Sequence, residues 1–364
     1  MKLLPFNAAH LKAGMLPLKP ESAFFAKETI DEKLQEGLLE VSRGKSFWAY
    51  KQTFHVQGGT KTLSRQGLIA LIDITQTKLL EHENVIEEQV EKLSTLFKNN
   101  FYQSLPVTCF YTSPQVAEKE ILDKVLNEPT FVFETFGVTH YFTAINDKIL
   151  IEKLAKAMES HRIFIADGHH RYNALKQTQE VGKKQLLSFI FNTVDNPVEI
   201  YPYHRLYFNE NFDKKVFLDK LKLYFTVKEC ASDYKIKEKG NFKLVFNNNT
   251  YHLSFIAGIN KIPWNFSKII KDQDLTILHY FIFEKILGIK GQEQKKSKNI
   301  KFCSIFTDYI EAVRQGDADF AIVTRGIELE DLKQVAESDY TFPQKSTFFY
   351  PKLLSGFLFV SNSI

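Results

Sequence analysis

Apolar residues that alternate with polar ones predict β-strands in the first half of the chain. Residues 47–56 alternate in this way, and residues 67–73 follow as a second apolar run, so the two segments predict a β-hairpin. Shorter runs rich in β-branched and aromatic residues predict further strands. These are Val107–Tyr111, Phe131–Thr135, Val138–Ala144, Ile163–Ala166, Leu186–Asn192 and Phe320–Thr324.

Apolar residues at helical spacing predict helices between these strands. One helix opens in the segment that begins at Glu81, and Asn84 is its candidate N-cap because Glu87 stands in the capping-box position. The same spacing predicts helices at Glu28–Ser42, Asp147–Ser160, Asp274–Leu287 and Leu329–Ser338.

This mixture of strands and helices predicts an α+β fold in two domains. A chain of 364 residues with 44% apolar and 25% charged residues can bury a sizeable core and is long enough for two domains. Pro197 and Pro202 mark a change of domain. The predicted domains are therefore residues 1–205 and 206–364.

Charge and cysteine content limit the classes of partner. The net charge is +4 and the lysines are spread along the chain, so no nucleic acid is expected. Cys109, Cys230 and Cys303 lie far apart, outside any Cys-x-x-Cys pair, and are predicted to be small buried hydrophobes. No apolar run approaches about eighteen residues and no signal-peptide pattern begins the chain. We therefore expect a cytoplasmic protein without a membrane partner, and the oligomeric state is left open.

A strand-to-helix turn carries the most informative chemistry in the sequence. An apolar strand ends at Ala166 and a helix begins at Arg171, with a glycine between them that permits a close turn. Amides at the start of a helix bind anions, and a guanidinium and imidazoles add donors. The alternative is that Asp167 caps the helix and the histidines are solvated. The predicted phosphate site consists of Asp167, Gly168, His169, His170 and Arg171.

Two other segments hold groups suited to catalysis or binding. Glu83 follows His82 before a predicted helix, where a carboxylate can act as a general base or metal ligand. Because Ile86 stands four residues after His82, the zinc motif His-Glu-x-x-His is missing. A proline-bounded loop places an ammonium and two hydroxyls among aromatic residues, at Lys345, Ser346 and Thr347. The alternatives are a solvated helix start and a surface loop.

Three segments together resemble the DUF1015 family, over about residues 45–364. They are Phe164–Ala174, Tyr201–Arg205 and Pro343–Leu353. The Asp-Gly-His-His-Arg turn also resembles the phosphate-binding turn of the free serine kinases, which belong to the ParB/sulfiredoxin-like superfamily. His82-Glu83 resembles the segment that carries the catalytic carboxylate of those kinases, and Pro343–Thr347 resembles their substrate segment. The three blocks follow in the same order.

This resemblance implies a fold and an activity. The implied fold is α+β, with a ParB/sulfiredoxin-like mixed-sheet catalytic domain and a second α/β domain that closes a cleft. The implied activity is magnesium-dependent phosphoryl transfer from ATP, ADP or pyrophosphate to a small hydroxyl metabolite, with free L-serine as the first candidate. Glu83 is implied as the base and Asp167 as the magnesium ligand. The residues implied to bind the donor phosphates are Gly168, His169, His170 and Arg171. Those implied to bind the substrate are His82, His204, Arg205, Lys345, Ser346 and Thr347.

Two other functions fit part of the same residues. A ParB-like regulatory module would bind a nucleotide to switch a partner interaction, although the sequence has no basic helix or arm for DNA. A sulfiredoxin-like redox enzyme needs a reactive cysteine beside the phosphate turn, and His169 occupies that position. The expected partner is therefore a small-molecule substrate.

Overall fold

The strands of the computed structural model follow most of the alternation seen in the sequence. The structure describes residues 1–19, 22–57, 59–99, 101–115, 117–178, 184–294, 296–304, 306–338 and 340–361. In chain order the strands are β1 (Leu3–Leu4), β2 (Ala9–Leu11), β3 (Phe24–Ala26), β4 (Leu39–Val41), β5 (Phe47–His55), β6 (Thr62–Asp73), β7 (Leu79–Leu80), β8 (Phe101–Gln103), β9 (Val107–Tyr111), β10 (Phe131–Thr135), β11 (Val138–Ile145), β12 (Ile163–Asp167), β13 (Gln185–Asn192), β14 (Glu199–Pro202), β15 (His204–Tyr207), β16 (Phe225–Glu229), β17 (Asn241–Val245), β18 (Thr250–Phe255), β19 (Ile300–Cys303), β20 (Phe320–Val323), β21 (Thr347–Tyr350) and β22 (Leu358–Ser361).

The helices are short to medium in length, and a π-helix, Leu278–Ile286, follows one of them directly. None of the helices in the described part of the chain combines the length and the apolar character that a membrane span requires. In chain order the α-helices are α1 (Lys27–Gln35), α2 (Glu87–Lys98), α3 (Ala117–Val125), α4 (Lys148–Met158), α5 (His169–Gln177), α6 (Lys214–Leu221), α7 (Lys268–Lys271), α8 (Asp274–Ile277), α9 (Gly291–Gln294), α10 (Phe306–Gln315) and α11 (Leu329–Ala336).

Three of the helix predictions need correction. The helix predicted at Glu28–Ser42 ends at Gln35, because residues 39–41 pair with β2 as strand β4. The helix predicted to open near Glu81 begins at Glu87 instead, and Ile86 rather than Asn84 is its N-cap. The helix predicted at Asp274–Leu287 is α-helical only as far as Ile277 and continues as the π-helix. In the first case strand pairing overrides the local pattern, and in the second the contact of Asn84 with Thr341 does so.

The described chain divides into two compact units. The first consists of Met1–Glu81, Val85–Glu199 and Phe349–Ile364, and the second consists of His82–Asn84 and Ile200–Phe348. The domain boundary at residue 205 stays a prediction, since the contacts alone separate the units after Glu199 and return the C-terminal segment to the first unit.

A large mixed sheet organises the first unit. Its strand order is β10-β11-β5-β6-β13-β9-β12-β7, and β1 pairs with β6. The predicted hairpin is confirmed as β5 and β6, which pair antiparallel, whereas β13 runs parallel to β9 and β12 runs parallel to β7. Helix α5 buries Tyr172, Ala174 and Leu175 in the same core as Ile163 and Ile165 of β12. This packing fixes the turn between β12 and α5.

The second unit is built on an antiparallel sheet of order β16-β18-β17-β20-β15-β19. Its core is rich in phenylalanine, and Phe217 and Phe320 stack with ring centroids 4.7 Å apart. The coarse fold prediction of mixed strands and helices around a mixed sheet is confirmed by the sheet of the first unit. Cys109 and Cys303 are buried as predicted, and Cys230 is half-buried.

Gly356 tests how tightly the C-terminal segment packs in the first unit. Its φ is +75°, and a Cβ there would lie 1.7 Å from the carbonyl oxygen of Leu18. We expect Gly356→Ala to lower the free energy of unfolding by about 3 kcal/mol or more, because the clash adds to the strain of positive φ. Gly137 has φ +72° with open space around it, so Gly137→Ala should cost only about 1 kcal/mol. Because Trp264 also fluoresces, both losses are measured in a Trp264→Phe background by urea denaturation followed by Trp48 fluorescence. Equal losses would contradict the packing.

Candidate functional site

A left-handed glycine joins β12 to α5. Gly168 has φ 108° and is the N-cap of α5. A Cβ at this position would lie 2.8 Å from Arg171 Nη2 and 2.9 Å from Val107 Cγ2, so every other residue would clash there. The pairing of β12 with β9 also shifts register between Ile165 and Asp167. Gly168 therefore separates Asp167 from the first residue of α5 by a single position, and the amides at the start of this helix favour anion binding.

The carboxylate of Asp167 pairs with two cations. Its Oδ1 lies 2.7 Å from Lys352 Nζ and its Oδ2 lies 3.4 Å from Arg171 Nη2. Burial alone would raise the pKa of Asp167, but Lys352 and Arg171 outweigh it and hold the pKa below its usual range. Two cations and one carboxylate leave a net positive charge at the start of α5. The N-cap of α5 is Gly168 and no side chain makes a capping hydrogen bond there, so the alternative in which Asp167 caps the helix is wrong.

Two buried residues of the hairpin fix the backbone that carries Lys352. Arg65 donates from Nη2 to the Pro351 carbonyl at 2.9 Å and to Gln52 Oε1 at 2.6 Å. Gln52 donates in turn from Nε2 to the Lys352 carbonyl at 2.9 Å. Burial lowers the pKa of Arg65 to about 10, so its guanidinium is still charged at neutral pH. Because a buried charge without partners is costly, this network orders the chain on both sides of the Pro351–Lys352 bond.

The two histidines of the turn have different surroundings. His169 is buried, and burial lowers its pKa to about 3, so the ring is neutral at pH 7. His170 Nε2 accepts the Ile86 N–H at 3.0 Å, and it thereby helps to fix the start of α2. A neutral imidazole offers one N–H donor rather than two. The positive charge of the turn therefore comes from Arg171 and Lys352, and the alternative of solvated histidines is wrong for His169.

In the second unit, the carboxylate of Glu83 accepts the backbone amides of the Lys-Ser-Thr segment. Its Oε1 accepts the Lys345 N–H at 3.0 Å, and its Oε2 accepts the Ser346 N–H at 3.0 Å. Lys345 has φ 58°, which is uncommon for a residue with a side chain, and the carboxylate stabilises this turn. His82 Nε2 lies 2.9 Å from Thr347 Oγ1. The two segments are therefore held together by side chain and backbone.

The segment around Glu83 is extended rather than the start of a helix. Glu83 forms an isolated parallel bridge with Phe342, and the Asn84 N–H donates to the Phe342 carbonyl at 2.9 Å. The Asn84 side chain accepts the Thr341 hydroxyl at 2.7 Å, so it serves this bridge instead of a helix cap. Burial raises the pKa of Glu83, although the backbone amides of Ser346, Lys345 and Thr347 and the charge of Lys345 oppose the change. A carboxylate with a raised pKa is a better proton acceptor.

His204 and Arg205 use their side chains inside the second unit. His204 is buried, its Nδ1 accepts the Thr324 N–H at 3.4 Å, and burial lowers its pKa to about 3. Arg205 is fully buried, with Nη2 3.3 Å from His279 Nε2, and its guanidinium lies 5.2 Å from the centre of the Phe302 ring. Burial lowers the pKa of Arg205 to about 9, and the charge of Glu83 works in the opposite direction.

The residues predicted from the sequence thus fall into two groups. The first unit brings together Asp167, Gly168, His169, His170 and Arg171, and the second unit brings together His82, Glu83, Lys345, Ser346 and Thr347, with His204 and Arg205 in β15. Their functional roles stay predictions.

The turn does not, as arranged, fit a magnesium ion. Magnesium in phosphoryl-transfer sites takes one or two carboxylates together with phosphate oxygens and water. Asp167 is the single carboxylate among residues 167–171, and both of its oxygens already contact cations. Among the described residues, no three His, Cys, Asp or Glu side chains are grouped to hold a metal. Asp167 as a magnesium ligand stays a prediction.

Sequence reasoning missed Lys352 and the residues that position it. Lys352 lies in the segment Pro343–Leu353 that carried the family resemblance, where it is a second lysine besides Lys345. The presence of this second lysine was the feature of the sequence that could have identified Lys352 as a site residue. The corresponding feature for Arg65 was weaker: it is an arginine in a strand that is otherwise buried over most of its length.

The chain belongs to the DUF1015 family, whose description is "Protein of unknown function (DUF1015)". The family model matches residues 3–274, which confirms the identification from the sequence. The match begins at residue 3, whereas the resemblance of the motifs began at about residue 45, and it ends at residue 274, before Lys345. No curated protein matches the chain.

Several solved structures are similar to the chain at low sequence identity. A free serine kinase in complex with AMP has 14% identity and a TM-score of 0.44, covering 78% of this chain and 88% of that one. A conserved hypothetical protein from Pyrococcus furiosus has 14% identity and a TM-score of 0.44, covering 81% and 95%. SbnI with a C-terminal truncation, from Staphylococcus aureus, has 14% identity and a TM-score of 0.40, covering 79% and 85%. At this distance no residue role transfers.

The Asp167–Lys352 pair predicts a measurable change in acidity. We expect Lys352→Met to raise the pKa of Asp167 by at least about 1 unit, because the cation in contact with Oδ1 is lost while burial stays. Carboxyl carbon NMR over a pH titration measures the shift. Lys352→Arg should keep most of the effect. Lys51→Met removes a lysine that lies over the Tyr141 ring instead, and should leave Asp167 unchanged. An unaltered Asp167 pKa in Lys352→Met would contradict the pair.

Proposed function

We propose that the chain is a phosphotransferase that moves a phosphoryl group from a nucleotide or pyrophosphate to the hydroxyl of a small metabolite. The observation that carries the proposal is the cationic cluster at the start of α5, where Lys352 and Arg171 flank Asp167 beside the first helical amides. Phosphoryl transfer needs positioning and charge neutralisation more than covalent chemistry, and such a cluster supplies both.

In the proposed reaction, the acceptor oxygen attacks the terminal phosphorus of the donor. A P–O bond to the acceptor forms while the P–O bond to the leaving phosphate or nucleotide breaks, and the leaving oxygen keeps the electron pair. Glu83 takes the proton of the acceptor hydroxyl, which its raised pKa favours. Lys352 and Arg171 bind the donor phosphates, and Asp167 holds the two cations in place.

Short sequence separations support a joint role for the two groups of residues. Glu81, whose carboxylate accepts a hydrogen bond from Asn173 of α5, is followed after one residue by Glu83. His82, Glu83, Lys345, Ser346 and Thr347 form what we call the Glu83 cluster. Its last residue, Thr347, likewise precedes Lys352 by only a few residues. We therefore assign the turn to the donor and the Glu83 cluster to the acceptor of one reaction.

The finer features come from the resemblance of the motifs. They are the ParB/sulfiredoxin-like fold of the catalytic domain, closure of a cleft, free L-serine as acceptor, and magnesium with ATP, ADP or pyrophosphate. Magnesium is included in the assays below for this reason, and every step above is assigned to side chains of the chain alone.

Glu83→Gln tests the proposed base. The wild-type protein is incubated with L-serine or a pool of small alcohols, a donor and Mg²⁺, and phosphoester formation is followed by ³¹P NMR and mass spectrometry. We expect Glu83→Gln to lower kcat by at least about 100-fold, because an amide does not accept the proton, with little change in the KM for the donor.

The matched control is Glu87→Gln, which makes the same change at an exposed position in the first turn of α2. Its kcat should stay within about twofold of wild type. If the protein binds a donor but forms no phosphoester with any acceptor, the phosphotransferase proposal is wrong and a ParB-like nucleotide-binding module is favoured.

A further inference from the structure

The second unit contains a cavity that none of the roles above uses. Its volume is about 430 Å³, within the roughly 300–1,000 Å³ typical of small-molecule sites. Aromatic and aliphatic side chains form much of its wall, and amides and hydroxyls form the remainder. The main apolar lining residues are Trp264, Phe266, Ile270, Phe302 and Phe342, and the main polar ones are Asn84, Thr276, His279, Gln294 and Gln344.

The wall of this cavity is uncharged. Among the described residues that line it, none is an Asp, Glu, Lys or Arg. His279 is neutral as well, because burial lowers its pKa to about 3. Its Nε2 lies 3.3 Å from the Arg205 guanidinium and therefore accepts, whereas its Nδ1 lies 2.5 Å from Gln294 Oε1 and therefore donates. An ionic group would lose its hydration in this cavity without gaining a charged partner.

The cavity adjoins the segment that carries Glu83. Asn84 and Phe342 both line it, and the backbone of residues 82–84 is bonded to Phe342 on both sides. Asn84 accepts the Thr341 hydroxyl through Oδ1, and the other polar group of its side chain is the amide nitrogen, which is a donor. The cavity and Glu83 therefore belong to one unit and share one backbone bridge.

We propose that this cavity binds the body of the acceptor, and that the acceptor is an uncharged alcohol that bears a ring, in place of the free L-serine that the resemblance of the motifs suggests. The inference rests on the proposed function, in which Glu83 takes the hydroxyl proton. Aromatic rings at Trp264 and Phe302 match a planar ring, and the neutral wall disfavours the ammonium and carboxylate of serine. A nucleobase is also planar and uncharged, but the donor is assigned to the turn of the first unit.

Tryptophan fluorescence tests this assignment directly. The chain has two tryptophans, and Trp48 is buried in the first unit while Trp264 lines the cavity. The probes are 2-phenylethanol, its charged analogue 2-phenylethylamine, L-serine and adenosine. We expect 2-phenylethanol to change the fluorescence and to bind at least about tenfold more tightly than the amine or serine. Trp264→Phe should abolish the signal, and calorimetry on the wild-type protein confirms binding independently.

Gly291 allows the cavity to be filled from its rim. Gly291 is exposed and lines the cavity, and a Cβ there would lie 3.9 Å from Trp264 Cζ2, which is ordinary contact. Gly291→Leu should weaken 2-phenylethanol binding by about tenfold or more, and Gly291→Ala by no more than about threefold. Circular dichroism reports whether each variant is folded.

The outcomes separate this inference from the proposed function. If 2-phenylethanol binds as expected while no phosphoester forms with any acceptor, the cavity is a site for uncharged ring compounds and the phosphotransferase proposal fails. If serine is phosphorylated while 2-phenylethanol leaves Trp264 unchanged, the proposed function stands and the cavity assignment is wrong. Tighter binding of adenosine than of 2-phenylethanol, lost in Gly291→Leu, would overturn the assignment to the acceptor.

Discussion

The contact between Lys352 and Asp167 is the interaction on which the charge of the turn between β12 and α5 depends. A carboxylate next to a buried guanidinium at a helix start would by itself leave little attraction for an anion. Lys352 adds a second cation, and the network of Arg65 and Gln52 holds its backbone in place. The pair is partly exposed, so solvent weakens it and a phosphate can compete for the lysine. The same ion pair is thus stable enough to organise the turn and weak enough to be exchanged.

The second unit combines one fixed negative charge with an uncharged cavity, whereas the turn of the first unit carries a net positive charge. Glu83 is half-buried, and the backbone amides of the Lys345 turn hold its carboxylate, so one acidic group is fixed while the neighbouring cavity wall is uncharged. Burial keeps His204 and His279 neutral, and the cations that interact with Glu83 are Arg205 and Lys345. A charged turn suits the phosphates of a donor, and an uncharged cavity beside a base suits a neutral acceptor. This division gives each unit one task in the proposed reaction.

Local patterns were sufficient for the parts of the fold that local interactions determine. Val107–Tyr111 and Phe131–Thr135 form strands with the predicted bounds, and Asp147 caps α4 because its side chain accepts the first helical amides. Contacts between distant residues were not predictable in this way. Lys352 and Asp167 are 185 positions apart in the chain. Asn84 was predicted to cap a helix, but its side chain instead contacts Thr341, which is 257 positions away. The residues of both clusters were recognised from their chemistry, but which lysine reaches the turn depended on the buried arginine that holds it.

The most direct measurement is a crystal structure of the protein with ADP bound. We expect a phosphate oxygen within about 3.2 Å of Lys352 Nζ and of an amide at the start of α5, with Lys352 moved from Asp167 toward the ligand. Phosphates bound elsewhere on the chain, with the Lys352–Asp167 contact intact and the start of α5 unoccupied, would contradict this expectation.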